Sequence, residues 1–187
     1  MTTRQHGPAT RVTRRAVAAL LAGAVAAATV GTAPAAAARP DAEAVPAVIQ
    51  PPAGAQRVAT YRVVFGVQIY QCQAGAWVLR APEALLVERT DRTDVIRHFG
   101  GPSWQSLVDG SLVTAARRAD SPVPGAIPQL LLEVTSHSEA TDGLLAEVDF
   151  IQRLRTRGGL APVGACADGD ADRPVRYGAD YVLFAMP

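Results

Sequence analysis

The chain has 187 residues, with 18 arginines, no lysine, no asparagine, 17 acidic residues and two cysteines. With residues 1–38 set aside as an export signal, 14 arginines face 17 carboxylates, and the resulting formal charge of −3 argues against a nucleic-acid or anionic-membrane partner. The remainder, about 150 residues, is enough for one domain with its own core, and a chain without asparagine has no N-glycosylation sequon.

Residues 1–38 read as a secretory signal peptide. Arg4, Arg11, Arg14 and Arg15 precede the first acidic residue, residues 16–30 form an uncharged apolar run, and residues 33–38 offer Ala-x-Ala cleavage sites. That run falls short of the roughly 20 residues that a helix needs to cross the hydrocarbon core. The processed chain is therefore expected to be soluble, without a transmembrane span, and secreted or extracytoplasmic. Arg14-Arg15 matches the twin-arginine export pattern only weakly, so ordinary unfolded export is preferred. In an exported chain Cys72 and Cys166 have one intramolecular pairing open to them, worth roughly 4–5 kcal/mol by loop closure. Without a Cys-x-x-Cys spacing, a redox or metal role for them is poorly supported.

Residues 39–56 are rich in alanine and proline and read as a flexible leader, followed by a single β domain over 57–187. From Tyr61 the pattern alternates, with Tyr61, Val63, Phe65, Val67 and Ile69 on one face, and Gly66 marks a bulge or a break. Gln73-Ala74-Gly75 is a turn, Ala76–Arg80 returns as a strand, and residues 82–88 are a third piece, extended or helical. Val95–Phe99 is a strand leading into the irregular stretch His98–Gln105, which runs on to the Asp109-Gly110 turn. Ser111–Ala115 is the next strand, and residues 119–128 form a proline-stiffened loop. Gln129–Thr135 is apolar enough to be buried on both faces. Residues 144–155 satisfy both a strand and a helix pattern, with a narrow preference for strand, and residues 181–184 close the chain as a last strand. Short extended runs separated by turn residues predict a mainly β fold, an antiparallel sandwich or barrel with at most one short helix.

Several motifs occur in order: Gly66–Cys72, Trp77, Ala81–Leu85, His98–Trp104, Asp109–Ser111, Ile127-Pro128, Ile151–Arg153, Gly158-Gly159, Cys166 and Asp180-Tyr181. Together they resemble domain-of-unknown-function family 3455, a family of exported bacterial and fungal proteins, over residues 58–185. The resemblance implies an exported domain whose cysteines match Cys72 and Cys166, which supports the disulfide, and it brings no assigned activity. Gln129 departs from the family pattern, which has tryptophan after Ile-Pro.

His98, Asp109 and one of Ser103, Ser106 or Ser111 supply the residue types of a base, an orienter and a nucleophile. There is no Gly-x-Ser-x-Gly elbow, however, and residues so close in sequence seldom form a triad. The alternative is structural, with His98 donating to a backbone carbonyl and Trp104 in the core. His98 and His137 with Asp109, Glu133 or Asp149 lack a metal-ligand spacing, so no metal is expected. Glu147 and Asp149 would share a strand face, either as a carboxylate pair for glycoside chemistry or, more simply, as an ion-pair face flanked by Arg153 and Arg155. Tyr70, Trp77, Trp104, Tyr177 and Tyr181 could instead ring a cleft for a small apolar molecule or a sugar. Arg153 would either brace the framework by pairing with Asp109 or Asp180, or clamp a carboxylate. The preferred reading is a cofactor-free, non-enzymatic module that binds a small apolar or sugar-like ligand or a cell-surface component, through His98, Trp104, Asp109, Arg153, Tyr70 and Tyr181. A secreted hydrolase using His98 and Asp109 is the second reading.

Overall fold

In the computed structural model, residues 44–90, 92–138 and 142–187 are described. The expected signal peptide and the first residues of the leader lie outside them. Of the two β architectures left open by the sequence, the chain adopts the barrel. Eight antiparallel strands follow one another around it: β1 Gln56–Gln73, β2 Ala76–Glu88, β3 Val95–Phe99, β4 Ser103–Ser106, β5 Leu112–Val123, β6 Ala126–His137, β7 Phe150–Gly158 and β8 Arg173–Ala185. β8 pairs with β1 and closes the cylinder, so these strands leave no unpaired sheet edge. A three-residue 3-10 turn, Ala47–Ile49, is the one helical element among the described residues.

Bulges set which side chains face inward. The registers Val63↔Leu86 and Phe65↔Leu85 leave Val64 as an extra residue on β1, and an extra residue reverses the alternation beyond it. Tyr61 and Val63 therefore belong to the interior face, but after the bulge Gly66, Gln68 and Tyr70 take over, and Phe65 is 45% exposed. The single face expected from Tyr61 to Ile69 is thus split in two. Gly66 lies beside this bulge because a side chain would not fit there: a Cβ would come 2.6 Å from Val63 Cγ1 and 2.9 Å from Tyr177 Cε1.

Other elements differ from expectation for equally local reasons. β2 continues through Pro82, which β3 does not reach, since β3 pairs only from Ala84 onward; proline is tolerated at such a one-sided position. The stretch beginning at His98 is more regular than its composition suggests, with β3 and β4 joined by the corner Gly100-Gly101-Pro102. Between β5 and β6 there is no long loop. The strands run into a tight hairpin at Pro124-Gly125, where Gly125 has φ 72° and the prolines 122 and 128 lie at irregularities in the ladders. Within 144–155, strand begins only at Phe150, and residues before it form turns.

Two apolar clusters hold these layers together. Inside the barrel, Leu86, Ile96, Val113, Leu132, Ile151 and Leu183 pack around Tyr61 and Tyr181. Outside it, Leu131, Phe150, Leu154 and Val182 are covered by Ile49, itself fully buried, and Gln152 Nε2 donates to the Ile49 carbonyl at 2.6 Å. The described end of the leader is therefore packed onto β6, β7 and β8, where composition alone predicts a flexible segment. Burying one isoleucine in this way contributes roughly 1.5–3 kcal/mol.

The two barrel ends are unlike. At the end where β6 leaves and β7 enters, Leu145 and Val148 of the connecting segment are buried in the interior cluster and form a floor. Asp109 fastens it: its carboxylate accepts the Ser111 amide (2.9 Å) and hydroxyl (2.7 Å) and the Leu144 amide (2.6 Å), while Ser111 Oγ accepts the Leu145 amide at 3.2 Å. At the other end, the disulfide Cys72–Cys166 (Cα–Cα 5.8 Å) ties the β7–β8 loop to the end of β1. The same loop is held where Tyr70 donates to the Gly159 carbonyl at 2.6 Å and the Cys166 amide donates to Gly75.

Candidate functional site

Above the floor the barrel is not filled. A cavity of about 390 Å³ opens toward the disulfide-bearing end, within the size range of small-molecule sites. His98 of β3 and Trp104 of β4 are cross-strand partners, and both rings line it. His98 and Trp104 stack at 4.2 Å with an interplanar angle of 9°, and Tyr181 meets both edge-on. Leu130 and Leu132 of β6, with Ile127 and Pro128, make the apolar wall, and Leu79, Arg117 and Leu160 stand at the rim.

Arg153 is the polar centre of the cavity. It lies on β7 between its cross-strand partners Leu130 and Tyr181, is 9% exposed, and donates from Nε (3.2 Å) and Nη2 (2.9 Å) to the Pro128 carbonyl. Neither Asp109 nor Asp180 pairs with it. Asp109 is held at the floor, and Asp180, opposite Leu154, takes its partners on the outer face; a second bulge follows Leu154, where the β7–β8 register jumps between Leu154 and Arg157 and Arg155 adopts φ 50°. That turn sends Arg155 to the outer face, where it binds the buried carboxylate of Asp180 through Nε (2.8 Å) and Nη2 (2.5 Å). Arg89 (2.5 Å) and Arg62 (3.5 Å) complete that outer cluster. Strict alternation would place Arg153 and Arg155 together; the bulge separates an interior cation from an exterior one.

His98 is uncharged. Its Nδ1 lies 2.9 Å from the Ser103 carbonyl, which can only accept, so Nδ1 carries the proton. Burial pushes its pKa down from 6.5 to about 4; the Ser103 carbonyl opposes that shift and the charge of Arg153 adds to it. Burial likewise raises the Tyr70 phenol, with Arg153 pulling the other way. The Ser103 hydroxyl donates to the Gly100 carbonyl at 3.1 Å, and among the described residues no hydroxyl is hydrogen-bonded to His98.

The cavity therefore brings together five of the sequence candidates, Tyr70, His98, Trp104, Arg153 and Tyr181. Asp109 stands apart at the floor, where hydrogen bonds from Ser111 and Leu144 hold its carboxyl well below the usual range. Tyr177 shares a hydroxyl contact of 3.3 Å with Tyr181, whereas Trp77 stacks under Arg173 at the surface. His137 donates to the Val148 carbonyl at 2.9 Å, and the described residues contain no group of three His, Cys, Asp or Glu side chains placed to hold a metal. Gln129, the departure from the family pattern, does not line the cavity; its Oε1 accepts the Arg155 amide at 3.2 Å. Gln68 is a lining residue that sequence reasoning missed. It is a buried amide in an apolar strand, with Nε2 unpaired, and its polarity was the available signal.

No helix among the described residues is long and apolar enough to cross a membrane. Searches of curated proteins and of solved structures found no match. The family model described as "Protein of unknown function (DUF3455)" matches residues 52–185, and the chain belongs to that family.

Proposed function

We propose that the protein is exported and binds a small, largely apolar molecule inside its barrel, without transforming it. The observation that carries this reading is the cavity itself: an opening of about 390 Å³ walled by leucines, prolines and a stacked His98–Trp104 pair, in a barrel otherwise packed to its floor. Preformed apolar pockets with a few fixed polar groups are the usual form of small-molecule sites. The apolar wall favours a hydrocarbon or aromatic ligand over a sugar, whose hydroxyls would find few partners there. Export is supported by the composition of residues 1–38 and agrees with a disulfide in the domain.

The test is thermal unfolding of wild type and Leu130→Trp, whose added indole would occupy the cavity, with octan-1-ol and 2-naphthol as probes. A ligand at ten times its Kd stabilises by about 1.4 kcal/mol, or a few degrees in Tm. Wild type should show this rise with at least one probe and Leu130→Trp should not. Equal shifts in both proteins, or none in wild type, would overturn the reading.

A further inference from the structure

Resting on the cavity as a ligand site, we infer that its ligand is an apolar monocarboxylate, with the carboxylate on Arg153 and the apolar part against Leu130, Leu132 and the His98–Trp104 stack. The argument begins with a charge that lacks a counter-ion. Arg153 is buried, yet no carboxylate lies within 4 Å of its guanidinium among the described residues, and no carboxylate lines the cavity. The two candidates for that role are engaged elsewhere: Asp180 by Arg155, Arg89 and Arg62 on the outer face, and Asp109 by Ser111 and Leu144 at the floor.

An isolated buried cation is costly, and a single carbonyl compensates it only in part. The Pro128 carbonyl takes Nε and Nη2, which fixes the planar group, while Nη1 has no acceptor among the described residues. A guanidinium held this way presents a fixed donor to a carboxylate. Two further buried donors at the same wall, Gln68 Nε2 and Trp104 Nε1, also have no partner among the described residues. His98, being neutral, adds no second charge. The interior charge is therefore that of one arginine, which matches a monoanion; Arg117 stands outside at the rim, paired with Asp120 at 3.5 Å. The remaining wall is apolar, so the ligand's body is hydrocarbon or aromatic.

Two matched probe pairs separate this inference from the reading on which it rests: octanoate with octan-1-ol, and 2-naphthoate with 2-naphthol, titrated calorimetrically into wild type, Arg153→Met and Arg153→Lys. In wild type at least one acid should bind tenfold or more tighter than its alcohol. Arg153→Met should weaken that acid at least tenfold while leaving the alcohol within about threefold, and Arg153→Lys should keep most of the preference. If acid and alcohol bind wild type equally, the carboxylate inference falls and the apolar cavity stands. If no probe binds, both fall. Should Arg153→Met fail to fold, the acid-over-alcohol preference of wild type and its retention in Arg153→Lys decide the matter.

Discussion

Acidification should destabilise this barrel through one imidazole. In the folded state His98 is buried, stacked on Trp104, and lies close enough to Arg153 to feel its charge. A proton on Nε2 would place a second cation in the same enclosed space. The folded pKa of about 4 lies below the ordinary 6.5, so between those values the unfolded chain binds more protons than the folded one. Stability therefore falls as pH falls, and His98 contributes its full share above about pH 6.5 and none below about pH 4. At roughly 1.4 kcal/mol per pH unit, that share is about 3 kcal/mol, of which about 2–3 kcal/mol is gone by pH 4.5. Urea denaturation followed by tryptophan fluorescence at steps from pH 7.5 to 4.5 measures it, with His98→Gln as the comparison. The variant should be less stable near pH 7.5 because it loses the stack, but its profile should be flatter than that of wild type by this amount, so the gap closes or reverses toward pH 4.5. Parallel profiles, or the imidazole of His98, assigned against His98→Gln, titrating near pH 6.5 by NMR in the folded protein, would refute the reasoning.

Three further substitutions test how the barrel is closed and packed. Asp109→Ala removes the acceptor of three hydrogen bonds and should cost about 1–3 kcal/mol, with faster amide exchange at Leu144 and Leu145 in hydrogen-exchange NMR. Because the folded Asp109 carboxyl is held below its ordinary 3.8, its contribution is present above that pH and lost as pH falls further. It thus lies outside the window used for His98. Gly66→Ala forces a methyl group against Val63 and the Tyr177 ring and should cost about 1–3 kcal/mol in urea denaturation. Gly178→Ala, with nothing within 4 Å of the added carbon, should change stability by less than about 1 kcal/mol.

The β class, the antiparallel order and the aromatic set were legible in the sequence because they depend on local alternation and turn residues. Closure into a barrel was not, since the pairing of β8 with β1 joins the two ends of the domain and no local pattern encodes it. The residues that gather in the cavity were partly legible. Tyr70, His98, Trp104, Arg153 and Tyr181 stand out by residue type, and all five meet in the cavity. What failed was the assignment of partners, and bulges explain the failure. One extra residue at Val64 turned Gln68 inward, and the left-handed Arg155 delivered a different arginine to Asp180. Asp109 was misplaced for another reason: nearness in sequence to His98 suggested nearness in space, but the β4 strand carries Asp109 along the barrel to its floor.

That floor has a consequence for how the protein can work. With Leu145 and Val148 sealing one end, the barrel is a cup and not a pipe. If it takes the guest proposed above, that guest must enter and leave past Leu79 and Leu160, so loading and unloading cannot overlap, and a guest longer than the cavity is deep must keep its tail outside. Such a vessel suits one-at-a-time capture and delivery. It does not suit threading a molecule from one side to the other, and on the proposed role its selectivity would be set where the rim and the interior arginine can both reach the guest.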